Sequence, residues 1–138
     1  MCGICGIVSA QEIPIDFTHL KRMNEALIHR GPDSDGYYIE PGIGLAMRRL
    51  KVIDLSSGEQ PMTNEDGSIQ VIFNGEIYNY QELRSQLIRQ GHLFKSQSDT
   101  ECIVHLFEQY GSKFMLHLRG MFAIAVWDAT SKTLWLVR

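Results

Sequence analysis

The sequence predicts a single α+β domain in which antiparallel strands and amphipathic helices share a hydrophobic core. The chain has 138 residues, of which 44% are hydrophobic and 21% are charged, a balance typical of a globular domain. Some apolar residues alternate with polar ones as in strands, and others recur at helical spacing. Neighbouring strand patterns are joined by short turns, such as residues 129–132, which favours antiparallel hairpins.

The predicted elements follow from these patterns in chain order. We expect strands at 4–8, 37–40, 43–50, 69–73, 122–128 and 133–137. Three helices should begin after typical N-cap residues, namely Asp16, Asn79 and Ser98. Glu101 stands three residues after Ser98, which predicts a capping box. The last strand pattern ends at Arg138 without a polar tail, so we expect the domain to be incomplete there and unstable alone.

Charge and hydropathy exclude several classes of protein. The formal net charge is −3 and no basic block occurs, so we expect no nucleic-acid partner. No apolar run approaches the ~20 residues of a membrane helix, and the start of the chain lacks the pattern of a signal peptide. We therefore predict no membrane association and a cytoplasmic location.

Cys2 is the first candidate for catalysis. Removal of Met1 would leave its thiol beside a free α-amino group, with ordinary pKa values of ~8.5 and ~8. A terminal amine of this kind can serve as the general base for its own side chain. The alternatives are a small buried residue at the start of a strand, or a zinc or redox pair with Cys5. The pair lacks both a second set of ligands and a strand-to-helix context.

Polar residues at the ends of apolar elements give the other candidates. Their chemistry is coherent for an α-amino acid that carries a side-chain amide. Asn74 and Gly75 can donate to a tetrahedral oxyanion, and Arg49 suits an α-carboxylate. Glu76 and Asp99 offer negative charge for an α-ammonium group. Each has a structural alternative: a hairpin turn at Asn74-Gly75, a helix first turn at Asp99, and solvated surface charges at Arg49 and Glu76.

Taken together, several motifs resemble one family along the whole chain. They are Cys2-Gly3-Ile4-Cys5-Gly6, Arg30-Gly31-Pro32-Asp33, Arg49 to Asp54, Gln60-Pro61, Asn74-Gly75-Glu76-Ile77-Tyr78-Asn79, Ser98-Asp99-Thr100-Glu101 and Leu118 to Ala123. In this order they resemble the glutaminase domain of class II glutamine amidotransferases. The most similar branch is the glutamine-hydrolysing asparagine synthetases.

The resemblance implies an N-terminal-nucleophile hydrolase fold, an α-β-β-α sandwich of two antiparallel sheets between helical layers. Residues 1–138 would form an incomplete glutaminase domain, and the family's C-terminal ATP-dependent synthetase domain would be absent from this chain. Cys2 would be the catalytic nucleophile, with Asn74 and Gly75 as the oxyanion hole and no metal. The residues implied to bind glutamine are Arg49, Leu50, Lys51, Val52, Ile53, Asn74, Gly75, Glu76 and Asp99.

The reaction implied by the resemblance is hydrolysis of glutamine to glutamate and ammonia through a γ-glutamyl thioester on Cys2, without a cofactor. In the full-length protein, ammonia would pass to aspartate that the synthetase domain activates with ATP and Mg. The implied partners are therefore glutamine, that domain, aspartate and ATP, and the resemblance allows a homodimer. Two alternatives stay open: another carboxylate acceptor, or a non-catalytic amino-acid-binding module if Met1 is retained.

Overall fold

Two antiparallel sheets form the centre of the molecule in the computed structural model, which describes residues 2–50 and 58–138. The first sheet has the strand order β1-β3-β2, with β1 at Gly3–Val8, β2 at Ser34–Glu40 and β3 at Ile43–Arg49. The second sheet has the order β4-β5-β6-β7, with β4 at Met62–Thr63, β5 at Ile69–Ile77, β6 at Gly120–Asp128 and β7 at Thr133–Val137.

Helices cover the outer faces of both sheets. Helix α1 (Phe17–Glu25) packs on the first sheet through Leu20, which is fully buried. Helices α2 (Tyr80–Arg89) and α3 (Asp99–Tyr110) pack on the second sheet, and a 3₁₀ helix at Gly111–His117 follows α3. The order of layers is helix, sheet, sheet, helix, which confirms the predicted sandwich. None of the helices in the described part of the chain is long and apolar enough to cross a bilayer.

Side-chain alternation divides the apolar residues between two cores. The core between the sheets joins β3 to β5 and β6, through Ile43, Leu45, Met47, Ile72, Ala125 and Trp127. The core between the second sheet and its helices contains Val71, Phe73, Ile77, Leu83, Leu87, Ile103, Leu106, Phe114, Ile124 and Val126. Because successive strand residues face opposite sides, Asn74 shares the inter-sheet face of β5 with Ile72.

The structure corrects one predicted strand end that matters for the site. Strand β5 does not stop at residue 73, because residues 74–77 remain paired with residues 120–123 of β6. A Cβ atom at Gly75 would lie 2.1 Å from the carbonyl oxygen of Met121, and one at Gly120 would lie 2.1 Å from that of Glu76. Two glycines therefore permit the close approach of these strands. The hairpin-turn alternative for Asn74-Gly75 is wrong.

The helix caps confirm the predicted starts but correct two side-chain roles. Ser98 caps α3 by accepting a hydrogen bond from the Thr100 amide at 3.2 Å. The predicted capping box is wrong, because Glu101 accepts from the amides of Lys95 and Ser96 at 2.7 Å each. These two amides lie before the helix, so Glu101 fixes the loop that leads into α3.

Asn79 occupies the N-cap position of α2 without capping it through its side chain. Its Nδ2 donates to the His117 carbonyl and its Oδ1 accepts from the Arg119 amide, both at 3.0 Å. The side chain therefore ties the start of α2 to the segment that leads into β6.

Candidate active site

A cavity of about 250 Å³ lies against the ends of β3 and β5 and the start of α3. This is smaller than the ~300–1,000 Å³ of pockets for drug-sized ligands, so the cavity suits a compact ligand. Its lining includes every candidate site residue that the structure describes: Cys2, Arg49, Leu50, Asn74, Gly75, Glu76 and Asp99. The remaining candidates, Lys51, Val52 and Ile53, lie outside the described residues.

Cys2 is held at the cavity by contacts to two different loops. The Leu50 amide lies 3.3 Å from the Cys2 sulfur and donates to it. Arg30 Nε donates to the Cys2 carbonyl oxygen at 3.0 Å, which fixes the backbone of the residue. Cys2 is half-buried against the inter-sheet core together with Ile4. The Cys2 thiol also donates to the Leu50 carbonyl oxygen at 3.7 Å, so both backbone groups of Leu50 hold the sulfur at the cavity.

Cys5 does not share this environment. It pairs with Ala46 across β1 and β3, and strand alternation places it on the face opposite Ile4. All three cysteines are free thiols, and burial raises the pKa of the Cys5 thiol. The geometry therefore gives Cys2 and Cys5 no common zinc or redox site.

The open edge of β5 supplies hydrogen-bond donors to the cavity. Strand β4 pairs with β5 only at Gln70 and Val71, so the edge beyond Val71 has no strand partner there. Alternation of an antiparallel strand directs the amides of Phe73, Gly75 and Ile77 to this edge. Asn74 adds a side-chain amide whose buried Oδ1 has no hydrogen-bond partner among the described residues. A buried polar group of this kind is expected to meet a ligand or water.

Arg49 brings a positive charge into the cavity wall. The residue is 4% exposed, so the surface-charge alternative is wrong. Its Nη1 forms an ion pair with Glu59 Oε1 at 3.4 Å, and its backbone carbonyl accepts from the Asp33 amide at 3.1 Å. A Cβ atom at Gly58 would lie 2.5 Å from Arg49 Nη2. A glycine therefore makes room for the guanidinium.

Two carboxylates, Asp99 and Glu76, bring negative charge to the same cavity. Asp99, the first residue of α3, is 5% exposed, and its Oδ2 accepts from the Ile77 amide at 3.1 Å. Burial raises the pKa of the Asp99 carboxyl; the Ile77 hydrogen bond opposes this shift and the nearby Glu76 charge adds to it. Glu76 lines the cavity but is exposed. A partner cation would offset the cost of burying ionised Asp99.

Sequence reasoning missed several residues of the lining. They are Gly58, Gln60, Phe73, Ser98, Thr100 and Met121. Gln60 and Thr100 lay within motifs that carried the resemblance but received no role, and Ser98 was predicted only as a helix cap. Only their position in recurring motifs could have signalled them, because their contacts join distant parts of the chain.

The structure also contains a cluster of metal-ligand residue types away from the cavity. One ligand atom each of His92, His105 and Glu108 lie within 4.8 Å of one another. His105 Nδ1 and Glu108 Oε2 are already hydrogen-bonded at 2.8 Å, and His92 Nε2 contacts Gln109 Oε1 at 3.0 Å. His105 Nε2 is buried without a hydrogen-bond partner among the described residues and lies 3.7 Å from Glu101 Oε1, and none of the cluster residues lines the cavity.

The cavity thus combines a thiol, amide hydrogen-bond donors and groups of both charges. A buried guanidinium and two carboxylates match the α-carboxylate and α-ammonium of an amino acid. A thiol beside amide donors is suited to acyl transfer from an amide or ester. The fold of two antiparallel sheets and the residue types around the cavity together favour the class of amidotransferase domains.

A family model agrees with this class. The model described as the glutamine amidotransferase domain matches residues 1–138, so the chain belongs to that family. The resemblance drawn from the sequence motifs is therefore confirmed.

Relatives of known name share the same domain. The chain is 48% identical over 143 residues to glutamine-hydrolyzing asparagine synthetase 2 of Bacillus subtilis (strain 168), covering 100% of this chain and 19% of that protein. It is 40% identical over 138 residues to asparagine synthetase 1 of the same strain, covering 98% and 22%. Asparagine synthetase 1 of Lotus japonicus is 42% identical over 138 residues, covering 96% and 22%. The chain thus spans about a fifth of these relatives' length.

Two solved structures support the fold. The allosteric regulatory enzyme of purine biosynthesis matches 66% of this chain and 22% of its own, with a TM-score of 0.53 and 24% identity. Glutamine phosphoribosylpyrophosphate amidotransferase from B. subtilis matches 91% and 29%, with a TM-score of 0.52 and 20% identity. At this identity the likeness concerns the fold alone.

Proposed function

We propose that the chain is the glutaminase half of a glutamine-dependent asparagine synthetase. The observation that carries the proposal is the shared cavity, which Cys2 and the Asn74-Gly75 edge line together with buried Arg49 and Asp99. The whole chain matches proteins named as glutamine-hydrolyzing asparagine synthetases, which favours aspartate as the final acceptor. The synthetase part would lie in a further domain of a longer polypeptide, which would use ATP and Mg.

In the proposed reaction, the charges of the cavity orient glutamine. Arg49 binds the α-carboxylate, while Asp99 and Glu76 hold the α-ammonium group. Leu50 contributes its backbone amide at the sulfur, and the neighbouring Lys51, Val52 and Ile53 are proposed to complete the pocket. The γ-amide carbon then lies at the Cys2 sulfur.

The Cys2 thiol gives its proton to its own α-amino group, and the sulfur attacks the γ-amide carbon. A carbon–sulfur bond forms and the carbonyl electron pair moves to the oxygen, which Asn74 Nδ2 and the Gly75 amide stabilise. The intermediate collapses, the carbon–nitrogen bond breaks, and the amino group returns the proton to the leaving ammonia. Water then cleaves the thioester, releasing glutamate and restoring the thiol.

Ammonia release from glutamine by the full-length protein tests this mechanism. Cys2→Ala removes the nucleophile and should abolish the release, whereas Cys5→Ala, on the other face of β1, serves as the matched thiol control. Equal release by wild type and Cys2→Ala would refute the mechanism. The intact mass tells whether Met1 has been removed, and full retention of Met1 with glutamine binding would favour a non-catalytic module.

Product analysis tests the acceptor separately. With glutamine, aspartate, ATP and Mg supplied, the full-length protein should form asparagine in proportion to the glutamate released. Glutaminase activity without asparagine under these conditions would retain the first half of the proposal and refute aspartate as the acceptor.

A further inference from the structure

Gln60 joins the two elements that carry the candidate site. Its Oε1 accepts from the Phe73 amide at 2.7 Å, and its Nε2 donates to Thr100 Oγ1 at 3.1 Å. Gln60 is 7% exposed and Thr100 is 1% exposed, so both hydrogen bonds are shielded from water. The side chain therefore connects the open edge of β5 to the first turn of α3.

A second connection between β5 and α3 lies on the same edge of β5, at the Ile77 amide. Asp99, which precedes Thr100 in α3, accepts from the Ile77 amide at 3.1 Å. The amides of Phe73, Gly75 and Ile77 point in one direction, because alternate residues of a strand share an edge. Gln60 and Asp99 thus occupy the outer two of these three donors, and the Gly75 amide lies between them.

We propose that Gln60 is a positioning residue of the glutaminase reaction, holding the Asn74-Gly75 oxyanion donors in place by anchoring β5 to the first turn of α3. The inference rests on the proposed glutaminase function. Gln60 acts through the Phe73 amide and Thr100 rather than by bonding to the reacting atoms. Loss of its side chain removes the anchor on the open edge at one end of the segment 74–76, which is then held by its pairing with β6 and by Asp99 at the other end.

The consequence should fall on the rate of the chemical step more than on binding. The oxyanion exists only in the transition state, so misplaced donors lower kcat more than they raise KM. A misplacement of about 1 Å can cost on the order of 100-fold in rate. We expect Gln60→Met, which keeps the length of the side chain but removes both hydrogen bonds, to lower kcat by about 10- to 100-fold.

Gln70 provides a matched control on the same strand. It is 8% exposed, and its Nε2 donates to Thr63 Oγ1 at 3.0 Å, yet it does not line the cavity. Gln70→Met therefore removes a part-buried glutamine–threonine hydrogen bond away from the site, together with the hydrogen bond that Nε2 donates to the Gly67 carbonyl at 3.2 Å. In the full-length protein, we expect both variants to lower the urea midpoint of unfolding. Only Gln60→Met should lower kcat, when kcat is calculated per Cys2 thiol that can still be alkylated.

Thr100→Val supplies a second variant in case Gln60→Met does not fold. It removes the anchor on α3 but leaves the Phe73 amide bonded to Gln60, so a smaller fall in kcat is expected. The double variant should add little to Gln60→Met, because both changes break the same connection. Additive effects would overturn the proposal.

The failure of this proposal can be told from failure of the proposed function. If Cys2→Ala abolishes ammonia release while Gln60→Met and Gln70→Met have equal kcat values, only the role of Gln60 is refuted. A fall in kcat for Gln60→Met with KM within about threefold of wild type supports it. A rise in KM with unchanged kcat would instead show that Gln60 contacts bound glutamine, which also overturns the positioning role.

Discussion

Asp99→Asn should separate substrate binding from stability, because burial of this carboxylate opposes folding while its charge is proposed to hold the α-ammonium group of glutamine. Asp99 is 5% exposed, and burial raises the pKa of its carboxyl. An acid whose pKa is higher in the folded state binds protons more tightly there, so stability falls as pH rises through the interval between the unfolded and folded pKa values. At neutral pH the ionised group is therefore a net cost.

Asparagine at position 99 removes that cost but keeps the local hydrogen bond. Its Oδ1 can accept from the Ile77 amide, as Asp99 Oδ2 does at 3.1 Å. We expect the urea midpoint of Asp99→Asn at pH 7 to equal or exceed that of wild type. Glu65→Gln, an exposed residue outside the cavity, makes the same change in net charge and should leave the midpoint unchanged.

The same substitution should weaken glutamine binding. A hydrogen bond to a charged group contributes about 1.5–3 kcal/mol, which corresponds to roughly 10- to 150-fold in KM. The wild-type KM should also rise as pH falls through the raised Asp99 pKa, whereas the KM of Asp99→Asn should not follow that titration. Steady-state ammonia release between pH 5 and 8 measures both. A KM within about twofold of wild type, well below that range, would refute the ammonium-binding role, and a lower midpoint at pH 7 would refute the electrostatic argument.

Three further substitutions or treatments test individual contacts. Gly75→Ala should lower both the unfolding midpoint and kcat, because its Cβ would lie 2.1 Å from the Met121 carbonyl oxygen; a fully active, equally stable variant would contradict this. Gly58→Ala should raise the KM for glutamine, because its Cβ would lie 2.5 Å from Arg49 Nη2, and an unchanged KM would argue against a role for the guanidinium. Cys102 is fully buried with a thiol pKa of about 12, so iodoacetamide should leave it unmodified in the folded protein and alkylate it only in denaturant, as peptide masses would reveal.

Local patterns predicted the parts of the site that depend on single elements. The N-cap chemistry of Ser98 placed Asp99 at a helix start, and strand alternation placed Arg49 at the end of β3. The conformation of the Asn74-Gly75 pair was harder to predict, because the same dipeptide favours a hairpin turn. Pairing with β6, more than 40 residues away in the chain, keeps it in a strand, and no local pattern carries that information.

Contacts between distant segments explain what sequence reasoning missed. Gln60 acts through Phe73 and Thr100, which are 13 and 40 residues away along the chain. Glu101 has the right spacing for a capping box, yet the amides of the preceding loop compete for its carboxylate. In both cases the tertiary arrangement decides between hydrogen bonds that the sequence allows equally.

The proposed nucleophile and the proposed oxyanion donors belong to different sheets, with Cys2 beside the first and Asn74-Gly75 in the second. Within the described residues, the core between the sheets sets the distance across this gap through side chains such as Met47 and Ile72, and the hydrogen bond from Trp127 Nε1 to Glu40 Oε1 also joins the two sheets. The rate of ammonia release should consequently depend strongly on the position of the two sheets relative to each other. Denaturant concentrations that weaken the packing between the two sheets should therefore abolish ammonia release before the circular dichroism signal of the strands and helices is lost.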